Sequence, residues 1–237
     1  MRLLYLIIIF TSCFAVIKSQ NKEEIYFSGF EWINKISPDP TGPGNNIFGT
    51  HPKNVTLDNN GNVTLRIRRN SSCAEIFSKP IFKEGRYETT IVTNTKTFHP
   101  YMVFGIFLYD HSAAPHYNEI DIEYSLWGRN ENKNMQYAVH TNSGTKVHRF
   151  SFKKKKTVIK HIIDITNDSI HFKSTVYEKA HNRLLTLSEI SYPRPEEFAF
   201  NKTRFHFNLW LMNKDIKVVS HFPKVKILDF NYHPSTK

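Results

Sequence analysis

The feature that most constrains this 237-residue chain is its period of two, sustained over most of its length and interrupted by turns. Val63, Leu65 and Ile67 alternate with Thr64, Arg66 and Arg68, directly after the Asn60-Gly61 pair that suits a hairpin turn. Met135, Tyr137 and Val139 alternate with Gln136, Ala138 and His140. Ile170, Phe172 and Val176 share a face beside His171, Lys173 and Thr175, and Phe205, Phe207, Leu209 and Leu211 oppose His206, Asn208, Trp210 and Met212. A helix cannot hold such a pattern on one face, whereas a strand must. About a dozen strands of this kind predict an all-β sandwich of two antiparallel sheets around one core. Glu178–Glu189 is the one stretch that hints at a helical turn.

The amino terminus reads differently. Arg2 precedes an apolar run from Leu3 to Ile17, broken by Thr11, Ser12 and Cys13. The run falls short of the ~20 residues that span a bilayer and has the shape of a secretory signal. Residues 1–19 are therefore expected to be a signal peptide, and 20–237 a single domain outside the cytosol, secreted or periplasmic. Cys13 offers an alternative, a lipid anchor, against which stands the apolar run continuing past it. Loss of residues 1–19 removes Arg2 and Lys18, lowering the formal charge from +11 to +9, and leaves Cys73 as the single thiol. One thiol makes no internal disulfide, so the core must supply the stability. Cys73 is read as a small buried hydrophobe. The sequons at Asn54, Asn62, Asn70, Asn167 and Asn201 fit an Asn-rich chain by chance.

Chemistry concentrates in Tyr117-Asn118-Glu119-Ile120-Asp121-Ile122-Glu123-Tyr124. In a strand, Ile120, Ile122 and Tyr124 face one way and Glu119, Asp121 and Glu123 the other, successive acids about 6.6 Å apart. Neighbouring carboxylates repel, which raises the pKa of at least one and permits an acid and a base to coexist. Glycoside hydrolysis needs that division. An acidic wet face of an ordinary amphipathic strand is the plain alternative. Against it, a basic chain gathers three acids within five residues, and Phe205–Met212 offers His206, Asn208 and Trp210 on a second polar face. An indole stacks on a sugar ring and an amide bonds its hydroxyls. Geometry is the difficulty: Glu119 and Glu123 have Cα atoms about 13 Å apart in a regular strand, while a retaining mechanism brings carboxyls to about 5–5.5 Å. The two side chains must lean together over Asp121.

At these residues the chain resembles glycoside hydrolase family 16, the laminarinase and lichenase type. Glu119-Ile120-Asp121-Ile122-Glu123 is similar to the family's catalytic signature in its unbulged form. Cys73-Ala74-Glu75-Ile76-Phe77-Ser78, Gly85-Arg86-Tyr87-Glu88, Met135-Gln136-Tyr137 and Phe207-Asn208-Leu209-Trp210 follow in the family's order, and Gly42-Pro43-Gly44-Asn45-Asn46 is similar to a loop of a secreted bacterial branch. The resemblance covers most of residues 30–230. It implies a concanavalin-like β-jelly-roll with a glycan cleft, and retaining endo-hydrolysis of a β-linked polysaccharide such as a β-1,3 or mixed β-1,3-1,4 glucan. Glu119 would be the nucleophile, Glu123 the acid/base, and Asp121 the residue that tunes both. Glu75, Tyr117, Gln136, Asn208 and Trp210 would meet the substrate, with Trp127 at the cleft edge. No cofactor is implied. Phe77 stands where the lichenase branch has Arg, Tyr117 where Trp is typical, and Ile162-Ile163-Asp164-Ile165 has Ile where Trp is frequent. These departures keep a second reading open, a non-catalytic glycan-binding protein on the same fold.

Other signals are weaker. Lys153–Lys156 reads as a solvated strand end, or as a contact for an anionic glycan or the cell envelope. No nucleic-acid motif occurs and export removes the opportunity, so nucleic acid is not expected as a partner. The twelve His residues show no metal-ligand spacing; His111 and His116 flank the acidic strand. The mature chain is expected to act as a monomer, with no transmembrane segment.

Overall fold

The computed structural model describes residues 23–68, 72–94, 98–112, 119–129, 133–141, 143–153, 157–178, 181–196, 198–213 and 224–235. Residues 1–19, Tyr117, His116 and Lys154–Lys156 lie outside them. Among the described residues no helix is long and apolar enough to cross a membrane.

Seventeen strands form the described part, in chain order β1 (Glu24–Phe27), β2 (Phe30–Asn34), β3 (Ser37–Thr41), β4 (Asn46–Phe48), β5 (Val55–Leu57), β6 (Val63–Leu65), β7 (Ala74–Ser78), β8 (Gly85–Thr93) and β9 (Met102–Asp110). They continue as β10 (Glu119–Tyr124), β11 (Met135–Thr141), β12 (Gly144–Phe150), β13 (Thr157–Ile165), β14 (Ser169–Glu178), β15 (Arg183–Pro193), β16 (Thr203–Leu211) and β17 (Val225–Pro234). A front sheet runs β1-β2-β7-β16-β9-β10-β11-β12, a back sheet β15-β14-β13-β8-β17-β6-β5, and β3-β4 form a separate hairpin. The pairings within both sheets are antiparallel. This is the sandwich of two antiparallel sheets that the alternation predicts, in the jelly-roll form that the resemblance implies.

The inner faces hold the core. Trp32 of β2 meets Phe230 of β17 at 5.1 Å between ring centroids, and Phe205 of β16 meets Phe230 at 4.6 Å, so aromatic contacts bridge the sheets. Each fully buried Phe contributes about 1.5–3 kcal/mol of transfer free energy. Trp32 is thus part of the core. Cys73 is buried too, and burial pushes its thiol up to about 12, a poor nucleophile. The Asn60-Gly61 turn forms as expected, with Gly61 N donating to the Asp58 carbonyl and Gly61 at φ +77°.

Within Glu178–Glu189, residues 179–180 lie outside the described residues, His181 alone takes a short helical bend, and the rest is strand but for the turn residue Asn182. The stretch closes the β14–β15 hairpin, and β15 carries on to Pro193 as an eleven-residue strand. The sequence misleads because β15 ends the back sheet and most of its residues are exposed or half-buried on both faces, which blurs the alternation.

Candidate active site

β10 lies inside the front sheet, in unbroken register with β9 and β11. Its inward residues Ile120, Ile122 and Tyr124 are fully buried in the core. The pleat therefore turns Glu119, Asp121 and Glu123 to the opposite face, where all three line a cleft of about 340 Å³. Register sets their neighbours: Glu119 lies opposite Tyr109, Asp121 opposite Phe107, and Glu123 opposite Gly105 on β9. On the next strand His206 is opposite Phe107, Asn208 opposite Gly105, and Trp210 opposite Val103. Glu75 of β7 then faces Asn208. Glu75, Phe107, Tyr109, His111, His206, Asn208 and Trp210 thus join the acids around the cleft, and Lys35 with Thr41–Pro43 closes one end.

That end wall is the β3–β4 hairpin. Asn46 Nδ2 donates to the Leu211 carbonyl at 2.8 Å and to the Pro43 carbonyl at 2.9 Å, tying the turn to the end of β16. Gly44, at φ +68°, packs so closely on Trp210 that a Cβ there would meet Trp210 Cε3 at 2.8 Å. Lys35 Nζ donates to the Gly42 carbonyl at 2.6 Å and pairs with Glu75 Oε2 at 2.9 Å.

Three carboxyls share a partly desolvated floor. Asp121 is 3% exposed, and Glu119 and Glu123 each keep an edge on the cleft. Burial, the Asp121 charge and a hydrogen bond shared with Asp121 push Glu119 well above the usual carboxylate range. Asp121 is pushed up by burial and then by the Glu123 charge, the hydrogen bond with Glu119 acting the other way. Glu123 is also raised by burial, but the Gln136 hydrogen bond and the charges of His140 and Arg149 restrain it. Gln136 Nε2 donates to Glu123 Oε2 at 2.5 Å. His140 Nε2 lies 2.9 Å from Asp121 Oδ2, an ion-pair distance whose angle makes no hydrogen bond, so Oδ2 accepts none. Burial and mutual repulsion thus push all three carboxyls upward, with different partners acting on each.

Across the cleft, Glu75 is buried and doubly paired: His206 Nδ1 lies 3.0 Å from Oε1 and Lys35 Nζ 2.9 Å from Oε2. Burial raises its pKa, and the His206 hydrogen bond and Lys35 charge outweigh that and hold it down. His206 Nε2 is 3.0 Å from His111 Nε2, and its ring stacks on Phe107 at 4.7 Å. Burial, with His206 and Arg204 nearby, pushes His111 down to about 4, so it is neutral at pH 7. Asn208 Oδ1 accepts the Gly105 N–H at 3.1 Å.

Of the residues the sequence singles out, Glu75, Glu119, Asp121, Glu123, Asn208 and Trp210 meet in this cleft. Gln136 and Trp127 do not line it: Gln136 stands beside Glu123, and Trp127 packs under the Arg149 guanidinium at 4.8 Å. Tyr117 is outside the described residues. The sequence reading passes over Lys35, Phe107 and Tyr109 and notes His111 only as flanking the acidic strand. Met102–Asp110 is apolar on both faces, so period two marks no wet side there; only the register with β10 does. Among the described residues no group of three metal-ligating side chains is placed to hold an ion.

Solved structures share this fold. A Bacillus licheniformis beta-glucanase matches at a TM-score of 0.61 and 16% identity, over 92% of this chain and 100% of that one. A glycoside hydrolase family 16 endo-glucanase from Bacteroides ovatus, in complex with G4G3G-2F-DNP, matches at 0.63 and 12%, over 85% and 94%. A prokaryotic beta-1,3-1,4-glucanase (lichenase) from a mouse hindgut metagenome matches at 0.57 and 17%, over 89% and 96%. No family model and no curated protein matches the sequence. The fold is therefore that of the family 16 glucanases; at these identities it is the architecture that is shared.

Proposed function

We propose that this protein is a secreted glycoside hydrolase that cleaves a β-linked polysaccharide internally with retention of configuration. The observation that carries the proposal is the outward row Glu119, Asp121 and Glu123, set on the floor of an open cleft with Trp210, Asn208 and Tyr109 beside it. Glu119 attacks the anomeric carbon while Glu123 gives its proton to the departing glycosidic oxygen. Glu123, now ionised, takes a proton from water as that water displaces Glu119. Asp121 serves by taking the proton it shares with Glu119, which frees the nucleophile. Gln136, bonded to Glu123, steadies the acid/base.

The structural neighbours support a β-1,3 or mixed β-1,3-1,4 glucan as substrate, since all three are glucanases. The apolar run at residues 3–17 supports work outside the cytosol.

The test is release of reducing ends from β-1,3-glucan, mixed-linkage glucan and algal galactan, with a fall in viscosity marking internal cleavage. NMR of the first product should show the β-anomer, and Glu119→Gln should abolish the activity. Retardation on glycan gels with no cleavage, unchanged by Glu119→Gln, would establish a binding protein instead.

A further inference from the structure

Behind Glu123, away from the cleft, stands a side-chain relay that the proposed chemistry does not itself require. Gln136 of β11 lies opposite Glu123 on one side and opposite Arg149 of β12 on the other. Arg149 Nε donates to Gln136 Oε1 at 3.1 Å, and Gln136 Nε2 donates to Glu123 Oε2 at 2.5 Å. An amide alone is ambiguous, because its oxygen and nitrogen ends are nearly isosteric and either can face a carboxyl that holds its proton or has lost it. A guanidinium removes the ambiguity: it has donors only, so it accepts no hydrogen bond from the amide nitrogen. The Gln136 oxygen must turn to Arg149, and its nitrogen must then turn to Glu123.

Arg149 is itself held. Its guanidinium lies 4.8 Å from the Trp127 ring, a cation–π contact. Trp127 takes the left-handed φ of +47°, and its backbone N–H bonds Ser125 Oγ at 2.9 Å. That turn follows β10 and leads to the indole that lies beneath the Arg149 guanidinium.

We propose that Arg149 is a positioning residue for Glu123, acting through Gln136, whose amide it locks as a donor to the carboxyl. This rests on the reading of Glu123 as the acid/base. The charged groups facing Glu123 are Asp121 and Glu119 on its own strand, His140 on β11 and Arg149 on β12, while β9 opposes it with Gly105. Burial raises it, and the Gln136 hydrogen bond and the charges of His140 and Arg149 lower it. Loss of Arg149 removes one cation and frees the amide to flip, and both changes act in the same direction, towards a Glu123 that keeps its proton to higher pH.

The experiment uses the whole protein labelled with 13C at the glutamate side-chain carboxyls, the Glu123 resonance being assigned by its loss in Glu123→Gln. Its titration midpoint is followed in the wild type, Arg149→Met and Arg149→Lys. Met should shift the midpoint upward by about half a pH unit or more. Lys, which keeps the charge but not the fixed Nε donor, should fall between. On a cleaved polymer the alkaline limb of kcat should move with the midpoint. An unmoved midpoint in folded Arg149→Met, or Lys indistinguishable from the wild type, overturns the relay. The titration needs no substrate, so it stands apart from the hydrolase reading, which fails separately if Glu123→Gln leaves cleavage intact.

Discussion

Gly105 and Asn208 are locked together beneath the cleft: the Gly105 N–H donates to Asn208 Oδ1 at 3.1 Å, and a Cβ on Gly105 would stand 2.6 Å from that oxygen. The same glycine pairs with Glu123 on its other side. A residue without a side chain is what lets an amide on one neighbour and an acid on the other share a floor.

Gly105→Ala tests this. The added methyl must push Asn208 aside, because strands on both sides hold the backbone. We expect a stability loss of about 1–3 kcal/mol and a fall in kcat/KM larger than the same loss of stability causes elsewhere in the core. Thermal melts and hydrolysis rates of this variant and of Ile163→Val separate the two effects. Equal activity in both variants would show that Asn208 has no part in the site.

How much of this was legible beforehand depends on distance along the chain. Glu119, Asp121 and Glu123 declare themselves because three acids at spacing two have one arrangement in a strand. Asn208 and Trp210 follow by the same rule. The Glu75–His206–His111 chain does not, since its members lie 131 and 95 residues apart and meet only through the order β7-β16-β9. Phe107 and Tyr109 hide in a strand apolar on both faces. The β3–β4 hairpin shows its Gly and Pro in the sequence, but its place over Trp210 comes from Asn46 and Leu211.

Asp121→Asn should make the protein more stable at neutral pH and less active. Burial and the Glu123 charge raise the pKa of Asp121, so the folded state holds a proton that the unfolded chain releases near pH 4. Stability from this group is therefore greatest in acid and is lost as pH rises through the folded pKa. The amide does not titrate, so the variant should gain on the wild type as pH climbs from 4 to 8, with Tm rising about 2–4 °C for each kcal/mol. A difference in Tm that stays constant with pH would contradict a raised Asp121.

Trp210→Ala should weaken glycan binding more than folding. The indole is half-exposed at the cleft and its inner edge rests on Gly44. Loss of one stacking platform should cost roughly 1 kcal/mol or somewhat more in affinity, near tenfold. Affinity electrophoresis beside a melt decides it: binding and Tm falling in proportion would make Trp210 a packing residue.

The pH profile of hydrolysis should lie above the range of ordinary carboxylates, since Glu119 and Glu123 are both raised. Glu119, Asp121 and Glu123 titrate as one coupled set, so the two limbs of the profile belong to the set and not to single residues. A bell displaced to higher pH than ordinary carboxylates give is expected, and a flat rate from pH 4 to 8 on a cleaved polymer would contradict a catalytic role for the raised carboxyls.

His161 predicts an acid weakness in the core. It lies buried between the sheets with Nε2 2.6 Å from the Tyr124 hydroxyl and Nδ1 2.7 Å from Ser174 Oγ, and Tyr137 donates to the same Ser174 oxygen at 2.6 Å. Burial pushes its pKa down to about 3 from 6.5. The unfolded chain thus binds a proton that the folded chain refuses, so stability is full above pH 6.5 and drains as pH falls towards 3, at up to about 1.4 kcal/mol per unit. His161→Gln should cost about 1–3 kcal/mol at pH 7 through its hydroxyl partners, yet lose less than the wild type between pH 6 and 4. Denaturant melts at each pH give the two slopes, and parallel curves would mean that His161 takes up its proton without unfolding the core. Because Tyr124 follows Glu123 on the same strand, a slope that vanishes in His161→Gln ties the acid limit of the fold to the back of the strand that carries the acids.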